Sequence, residues 1–275
     1  MRPDGCAFFP VNQQNIRLLI AYDGTSYSGW QRQKNGPTIQ GMIEDKLAVI
    51  TKEQTVVNGS GRTDAGVHAL GMVANFKTST GMTAQSFQNA LNSMLPRDIR
   101  ILKADAASPG FHARYDSTGK TYRYDFFNGS IQPPNERLYR THIGHPFALI
   151  RIIPCLKSLI GSHNFSSFEA AGSRDLTRTG GRGAVRTLLK AECLTDPTQP
   201  EHFSFSFTGD GFLRHMVRNI VGTLFLVGSG RIDSNEFTAI LAGRDRQLAG
   251  PTAPAGGLFL ERVHFQPLTD SAPEN

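Results

Sequence analysis

GSGRTDAGVHALG, residues 59–71, is the most unusual stretch of the chain. Glycines at positions 59, 61 and 66 surround Arg62, Thr63 and Asp64, so that backbone can approach a ligand closely while the aspartate is held at the tip of a loop. The apolar pair at residues 56–57 precedes the loop, and a second apolar run, residues 72–76, follows it. The pattern predicts a strand–loop–strand unit that presents Asp64.

This glycine-rich loop does not fit the known phosphate-binding motifs. The motif GxxxxGK[ST] requires glycine where Val56 stands and lysine where Arg62 stands, and GxGxxG fails at Asp64. Two interpretations of Asp64 remain open from the residues alone. Its side chain caps a backbone amide in a tight turn, or it is the reactive group of a ligand site.

The residues around the loop alternate strands with amphipathic helices. Residues 17–22 (RLLIAY) and 99–103 predict strands. One helix is predicted to begin after Thr38 as its N-cap, with apolar residues at helical spacing as far as Ile50, and another covers residues 83–95. Each helix is long enough to cover part of a sheet face, which indicates an α+β or α/β arrangement.

The second half repeats this theme less clearly. Residues 122–126 and 202–208 alternate apolar and polar side chains and predict strands, and residues 258–265 predict the last strand. Helices are predicted at residues 149–160 and after Gly211. The simplest architecture has two α+β halves joined near residues 105–120, and we place the boundary between a domain of residues 1–115 and one of residues 116–275.

Two arginines accompany the apolar stripe of the helix predicted after Gly211. Arg214 and Arg218 are four residues apart, so both are expected on one helix face. Arg218 is expected at the edge of the buried stripe, where a guanidinium requires an anion, either a carboxylate of the protein or a phosphate of a substrate. A solvated basic face is the alternative.

The composition excludes several classes of protein. The chain has 275 residues, of which 39% are hydrophobic and 19% charged, so it is not generally disordered. Its net charge of +6 favours a polyanionic partner, and charge for solubility is the alternative. Three cysteines and eight histidines form no metal-binding spacing. The apolar runs at residues 6–9 and 220–228 are too short for a secretory signal and a membrane span, respectively.

Six segments in a fixed order resemble one family. They are YDGTSYSGWQRQ (22–33), GRTDAGVHALG (61–71), FHARYDSTGKTYRY (111–124), NFSSF (164–168), HMVRNIVGTL (215–224) and GGLFL (256–260). Together they resemble the tRNA pseudouridine synthase A family, from about residue 16 to residue 265. GRTDAGVH is very specific, and MVRNIVG in the right place downstream makes chance similarity negligible.

The resemblance implies a fold, an activity and a set of site residues. The fold would be the pseudouridine-synthase catalytic fold, α+β, with two ferredoxin-like halves whose antiparallel sheets abut around a central basic cleft. The protein would be a cytoplasmic homodimer that converts uridines 38, 39 and 40 of the tRNA anticodon stem-loop to pseudouridine, with no cofactor and no metal. Asp64 would be the catalytic nucleophile, and Tyr122 would contact the target uracil. Arg62 would lie beside the flipped nucleotide, and Arg218 would pair with Asp64.

The chemistry of this isomerisation fits a single carboxylate. Breaking the N1–C1′ bond develops positive charge at C1′, as in glycoside hydrolysis. In this isomerisation no group leaves the substrate and no water is added to it. One carboxylate therefore suffices, whether it attacks C1′ or removes a sugar proton. The sequence leaves open these two mechanisms, a pseudouridine synthase acting on other RNA positions, and a non-catalytic RNA-binding protein. A hydrolase or phosphotransferase would need a metal or a second acid, and neither is visible.

One segment departs from the family pattern. Residues 169–184 read EAAGSRDLTRTGGRGA, which is longer and richer in glycine than the family leads us to expect. Arg174, Arg178 and Arg182 are spaced as phosphate contacts could be, and a flexible surface insertion is the alternative.

Overall fold

The computed structural model describes residues 13–173 and 182–268. The apolar run at residues 6–9 and the arginines at positions 174 and 178 lie outside these ranges. The described strands are β1 (Gln14–Tyr22), β2 (Asn58–Gly59), β3 (His68–Thr78), β4 (Ile99–Ala107), β5 (Gly119–Phe127), β6 (Thr141–His142), β7 (Gly161–Asn164), β8 (Val185–Asp196), β9 (Gln199–Gly209) and β10 (Leu258–His264). The described helices are α1 (Ile39–Thr51), α2 (Ala84–Met94), α3 (Leu149–Ser158), α4 (Met216–Gly228) and α5 (Ser234–Gly243).

The strands form one mainly antiparallel sheet in the order β4-β1-β3-β10-β5-β9-β8-β7, with β2 beside β3 and β6 beside β5. The units β1-α1-β2-β3-α2-β4 and β5-α3-β8-β9-α4-β10 each have the strand succession of a ferredoxin-like fold. The predicted α+β class with two ferredoxin-like halves is therefore confirmed. The two sheets that we expected to abut are instead hydrogen-bonded into one, because β10 pairs in parallel with β3.

A row of buried side chains crosses the junction between the halves. Tyr22, Ala69, Leu260, Tyr122 and Phe207 are register neighbours on successive strands β1, β3, β10, β5 and β9, and all are buried. Side chains in register point to the same sheet face. The predicted boundary between residues 115 and 116 falls in the connection between β4 and β5, and it stays a prediction because the sheet continues across both parts.

Helices cover this face of the sheet on both sides of the junction. Phe87 of α2 packs edge-on against Phe76 of β3, with ring centroids 5.2 Å apart. Phe225 of α4 packs against Phe126 of β5 at 5.3 Å, and both residues belong to one continuous apolar core with Phe76 and Phe87. The helices thus leave a space over the centre of the sheet, where the two halves meet.

Most element boundaries follow from local chemistry. The Thr38 side chain accepts a hydrogen bond from the Gly41 amide and begins α1, as predicted. Asp233 and Glu236 form a capping box at the start of α5. Pro154 lies inside α3 rather than before it. Strand β8 was not predicted, because it lies towards the edge of the sheet and only two of its side chains are buried, so the alternation of apolar residues is weak.

Candidate active site

A cleft of about 1310 Å³ lies between the β2–β3 loop and the β9–α4 connection, with β5 side chains between them. This volume exceeds the roughly 300–1,000 Å³ of typical small-molecule pockets and favours a macromolecular substrate. Two aspartates line the cleft, Asp64 and Asp210, against a larger group of cations. The lining cations are Arg62, Arg114, Lys120, Arg182, Arg186, Arg214 and Arg218. The expectation of a central basic cleft is confirmed.

The loop that carries Asp64 is held by residues 22–30. The Trp30 amide donates to the Thr63 carbonyl at 3.1 Å, and the Tyr22 hydroxyl lies 2.8 Å from the Thr63 hydroxyl. Gly29 has φ +94°, and a Cβ there would lie 2.5 Å from the Thr63 carbonyl oxygen, so only glycine allows this approach. The segment YDGTSYSGWQRQ (22–33) therefore supports the Asp64 loop.

The turn at Asp64 is closed by backbone and not by the carboxylate. The Val67 amide donates to the Asp64 carbonyl oxygen at 3.2 Å. Within residues 13–173 and 182–268 the Asp64 carboxylate accepts no hydrogen bond from a backbone amide. The interpretation of Asp64 as a turn cap is therefore wrong, and its carboxylate remains available to the cleft.

Three side chains of the β9–α4 region face this carboxylate. His215 Nε2 lies 3.5 Å and Arg218 Nη1 3.7 Å from Asp64 Oδ2, and Arg214 Nε lies 3.9 Å from Oδ1. The Asp64 side chain is 26% exposed and that of Arg218 15%. Arg218 and Asp64, which the family resemblance pairs, are thus brought together in the structure. The site is partly open to solvent.

Arg218 is fixed by a second contact on the opposite side. Its Nε donates to the Ala253 carbonyl at 2.7 Å, and the Ala253 amide donates to the Arg218 carbonyl at 3.1 Å. The neighbouring Asn219 is fully buried and its amide donates to the Phe168 carbonyl at 2.8 Å. Helix α4 is thus tied to two loops, and these ties hold the guanidinium in the direction of Asp64.

The prediction that Arg214 and Arg218 share a helix face is wrong. Helix α4 begins at Met216, so Arg214 precedes it. His215, at the N-cap position, has φ +62°, a left-handed conformation that reverses the chain before the helix. Arg214 nevertheless approaches Asp64, because this reversal turns it back towards the loop.

His215 is a site residue that sequence reasoning missed. It was interpreted as structural because no metal-binding pattern surrounds it. Burial lowers its pKa, as do the nearby guanidinium groups of Arg218, Arg214 and Arg246, whereas the Asp64 carboxylate opposes the shift. The imidazole is therefore neutral at neutral pH. Its position between Arg214 and Arg218 in the segment RHMVR (214–218) was the only available signal.

Tyr122 lies on β5 at the base of the cleft. Its ring is 8% exposed and packs edge-on against Phe212, with centroids 5.0 Å apart. Burial, and secondarily the charge of Asp64, raise the pKa of the phenol well above its ordinary value. Tyr122 is thus a neutral, fixed aromatic side chain close to Asp64.

Arg62 lies on the same loop as Asp64 and is exposed. Its Nε donates to the Gln31 side-chain oxygen at 3.0 Å. Arg182, the one described arginine of the unusual 169–184 segment, forms an ion pair with Asp210. Part of its charge is therefore already balanced within the protein.

Two further observations concern metal binding and membrane-spanning helices. Among the described residues, no group of three or more His, Cys, Asp or Glu side chains is arranged to hold a metal ion. None of the described helices is both long and apolar enough to cross a membrane.

Comparison with known proteins identifies the family. The sequence profile described as tRNA pseudouridine synthase matches residues 18–116 and 155–266. The tRNA pseudouridine synthase A 1 of Desulfotalea psychrophila is 51% identical over 252 residues, which are 92% of this chain and 100% of that protein. The chain belongs to the tRNA pseudouridine synthase A family.

Other relatives agree with this assignment. The tRNA pseudouridine synthase A of Lacticaseibacillus casei is 42% identical over 91% of this chain and 99% of its own length. That of Acetivibrio thermocellus is 41% identical over 92% of this chain and its full length. A chain of a Cbf5-Nop10-Gar1 complex aligns with 77% of this chain and 45% of its own length at 13% identity, and its TM-score of 0.32 is too low to add to the assignment.

Membership in the tRNA pseudouridine synthase A family confirms the expected reaction class. The protein is an isomerase that forms pseudouridine in tRNA. The alternative of a non-catalytic RNA-binding protein is thereby excluded. The basic cleft, with one carboxylate facing several cations, is the place in this pseudouridine synthase where such a reaction fits.

Proposed function

We propose that this pseudouridine synthase isomerises uridines 38, 39 and 40 of the tRNA anticodon stem-loop, with Asp64 as its catalytic residue. One observation supports the assignment of Asp64. Its carboxylate takes no part in closing the turn, and its Oδ2 lies 3.5 Å from His215 Nε2 and 3.7 Å from Arg218 Nη1. The choice of positions rests on the resemblance of the six segments to the family.

The reaction requires one N-glycosidic bond to be exchanged for a C-glycosidic bond. The N1–C1′ bond breaks, the uracil turns over, a C5–C1′ bond forms, and C5 then loses its proton while N1 gains one. Asp64 starts this sequence either by attack of a carboxylate oxygen on C1′ or by removal of a sugar proton. Both routes use a carboxylate oxygen that points into the cleft, and Arg214 and Arg218 face the Asp64 oxygens at 3.9 and 3.7 Å.

The other predicted residues have separate parts in this proposal. Tyr122 stacks on or contacts the uracil as it turns, since its ring is fixed beside Asp64. Arg62 occupies the space that the uridine leaves in the stem, because it is exposed at the rim and held only through Gln31. Unstacking a base costs roughly a few kcal/mol, which such a replacement contact offsets in part.

Three further parts of the proposal come from the family resemblance, namely the oligomeric state, the location and the absence of a cofactor. The enzyme acts as a homodimer, which light scattering of the purified protein would measure. It resides in the cytoplasm, and it works without a metal or an organic cofactor, since the isomerisation neither oxidises the substrate nor consumes water.

The position assignment is tested with a complete, unmodified tRNA transcript. The purified enzyme is incubated with tRNAs that carry uridine at position 38, 39 or 40, and pseudouridine is mapped at single-nucleotide resolution. Matched transcripts with cytidine at the same position serve as controls. We expect modification at these positions in each tRNA, whereas pseudouridine found only elsewhere would favour a synthase for other RNA positions.

A further inference from the structure

Lys120 lines the cleft, and the proposed reaction assigns no role to it. It lies on β5 two residues before Tyr122, so both side chains point to the same face of the sheet, roughly 6.6 Å apart along the strand. The side chain lines the cleft together with Asp64 and Tyr122. Lys120 is therefore next to the position where the target uracil would lie.

The stem of Lys120 rests on the loop that carries Asp64. A Cβ at Gly61 would lie 3.0 Å from Lys120 Cε and 3.8 Å from Nζ. Any larger residue at position 61 would have to displace the lysine. The ammonium group is thus held against the backbone three residues before Asp64.

Among the described residues, the charge of Lys120 has no carboxylate partner, since none forms an ion pair or hydrogen bond with its ammonium group. Burial lowers the pKa of Lys120, and so do the nearby guanidinium groups of Arg114 and Arg182. Asp210, which also lines the cleft, is paired with Arg182. A desolvated cation among cations is unfavourable unless an external anion joins it.

We propose that Lys120, flanked by Arg114 and Arg182, binds a phosphate of the RNA backbone adjacent to the target uridine. The proposal rests on the proposed function, because the phosphate belongs to the tRNA that enters the cleft. An ammonium group and two guanidinium groups line the cleft here and interact electrostatically, and these are the donors that phosphate recognition uses. The site places the backbone, and Asp64 and Tyr122 then act on the nucleotide beside it.

The first measurement is the salt dependence of tRNA binding. Lys120→Met keeps the apolar stem and removes the charge, and Lys120→Arg keeps the charge. Lys103→Met is the matched control, because Lys103 is exposed and paired with Asp105 outside the cleft. We expect Lys120→Met to weaken binding roughly tenfold and to reduce the slope of log K against log salt by about one. Lys120→Arg and the control should keep the slope.

The second measurement locates the phosphate. Single uncharged methylphosphonate linkages are placed at each position within three nucleotides of the modified uridine, in otherwise complete tRNAs. The wild-type enzyme should lose affinity roughly tenfold at one linkage next to the uridine, and Lys120→Met should lose nothing more there. Melting temperatures of both variants establish that they are folded.

Either of two results would overturn the proposal. One is binding by Lys120→Met with the wild-type salt slope, and the other is a loss of affinity by Lys120→Met as large as that of the wild type at every methylphosphonate linkage. Failure of the proposed function is separate, since the wild-type enzyme would then leave uridines 38–40 of unsubstituted tRNA unmodified.

Discussion

The Arg218 guanidinium contacts two parts of the protein at once, with Nη1 3.7 Å from Asp64 Oδ2 and Nε 2.7 Å from the Ala253 carbonyl. The backbone contact fixes the guanidinium before any substrate binds. The longer distance to Asp64 leaves the carboxylate oxygen without a short hydrogen bond that a substrate would have to displace. In the proposed reaction, Arg218 is therefore a fixed cation that faces Asp64 without blocking its carboxylate oxygen.

Replacement of Arg218 should therefore affect turnover more than tRNA binding. Arg218→Met removes a fixed cation that faces the reacting carboxylate, so we expect single-turnover pseudouridine formation to fall about 10- to 100-fold, or roughly 1.4–2.7 kcal/mol of transition-state stabilisation. Arg218→Lys should lie between, because an ammonium group cannot serve both contacts. Arg97→Met, an exposed arginine outside the cleft, is the control. A wild-type rate in Arg218→Met would show that Arg218 is only a surface charge.

His215 should assist in orienting Asp64. Asparagine tolerates the left-handed backbone at this position, so His215→Asn removes the imidazole and keeps the chain reversal. Loss of one neutral contact of about 0.5–1.5 kcal/mol predicts a rate decrease of up to about tenfold. The decrease should be largest at neutral pH and above, where the wild-type imidazole is neutral. If His215→Asn has the wild-type rate at every pH from 5 to 9, the role of His215 in orienting Asp64 is contradicted.

Tyr122 should act as a neutral phenol. Because burial raises its pKa above the ordinary value near 10, no part of the pH–rate profile between pH 7 and pH 9.5 should come from its ionisation. Tyr122→Phe should keep tRNA affinity and the edge contact with Phe212, with a profile of unchanged shape. An inflection that the wild type shows and Tyr122→Phe lacks would instead identify a phenolate base.

His68, at the end of the Asp64 loop, should make stability depend on pH. It is 1% exposed, accepts from the Gly24 amide at 3.1 Å and stacks on Phe259. Burial lowers its pKa despite the nearby Asp23. The folded state therefore resists protonation, and the unfolded state takes up the proton below about pH 6.5.

The resulting stability is fully present above about pH 6.5 and decreases as the pH falls towards the lowered pKa of His68. The slope from this group is at most about 1.4 kcal/mol per pH unit. Melting temperatures from pH 5 to pH 8 should show it, and His68→Gln should flatten the acidic part of the curve while it lowers stability at pH 8. Parallel curves for the two proteins would exclude His68 as the source.

The sequence predicted those features that have a local cause. Thr38 and Asp233 begin helices through contacts within one turn, so the residue pattern alone reveals them. The pairing of Asp64 with Arg218 joins residues far apart in the chain, and only the family resemblance connected them. Periodicity cannot reveal such proximity.

What the sequence could not predict depends on backbone geometry. His215 has a left-handed backbone but is not a glycine, so the sequence gives no signal of this conformation. For the same reason it does not show that α4 begins only at Met216, after the start of the apolar stripe. The absence of a carboxylate partner for Lys120 among the described residues is likewise a property of the folded cleft. Strand β8, next to the edge strand β7, was not predicted because solvent faces most of its side chains.

The role of Asp64 is tested most directly by Asp64→Asn. The turn is closed by the Asp64 carbonyl, which the substitution keeps. The lost ion contacts are 3.5–3.9 Å long and partly exposed, so the free energy of unfolding should change little. Affinity for tRNA should persist, because Arg62, Lys120 and the other cleft cations remain.

The deciding measurement is single-turnover pseudouridine formation by Asp64→Asn at saturating enzyme, with a binding curve for the same tRNA and mass spectrometry to exclude deamidation to aspartate. Catalysis by Asp64 predicts a rate at least roughly 10³-fold below that of the wild type, at nearly unchanged melting temperature and tRNA affinity. Substantial pseudouridine formation by the verified asparagine variant would contradict the assignment of Asp64 as the catalytic residue.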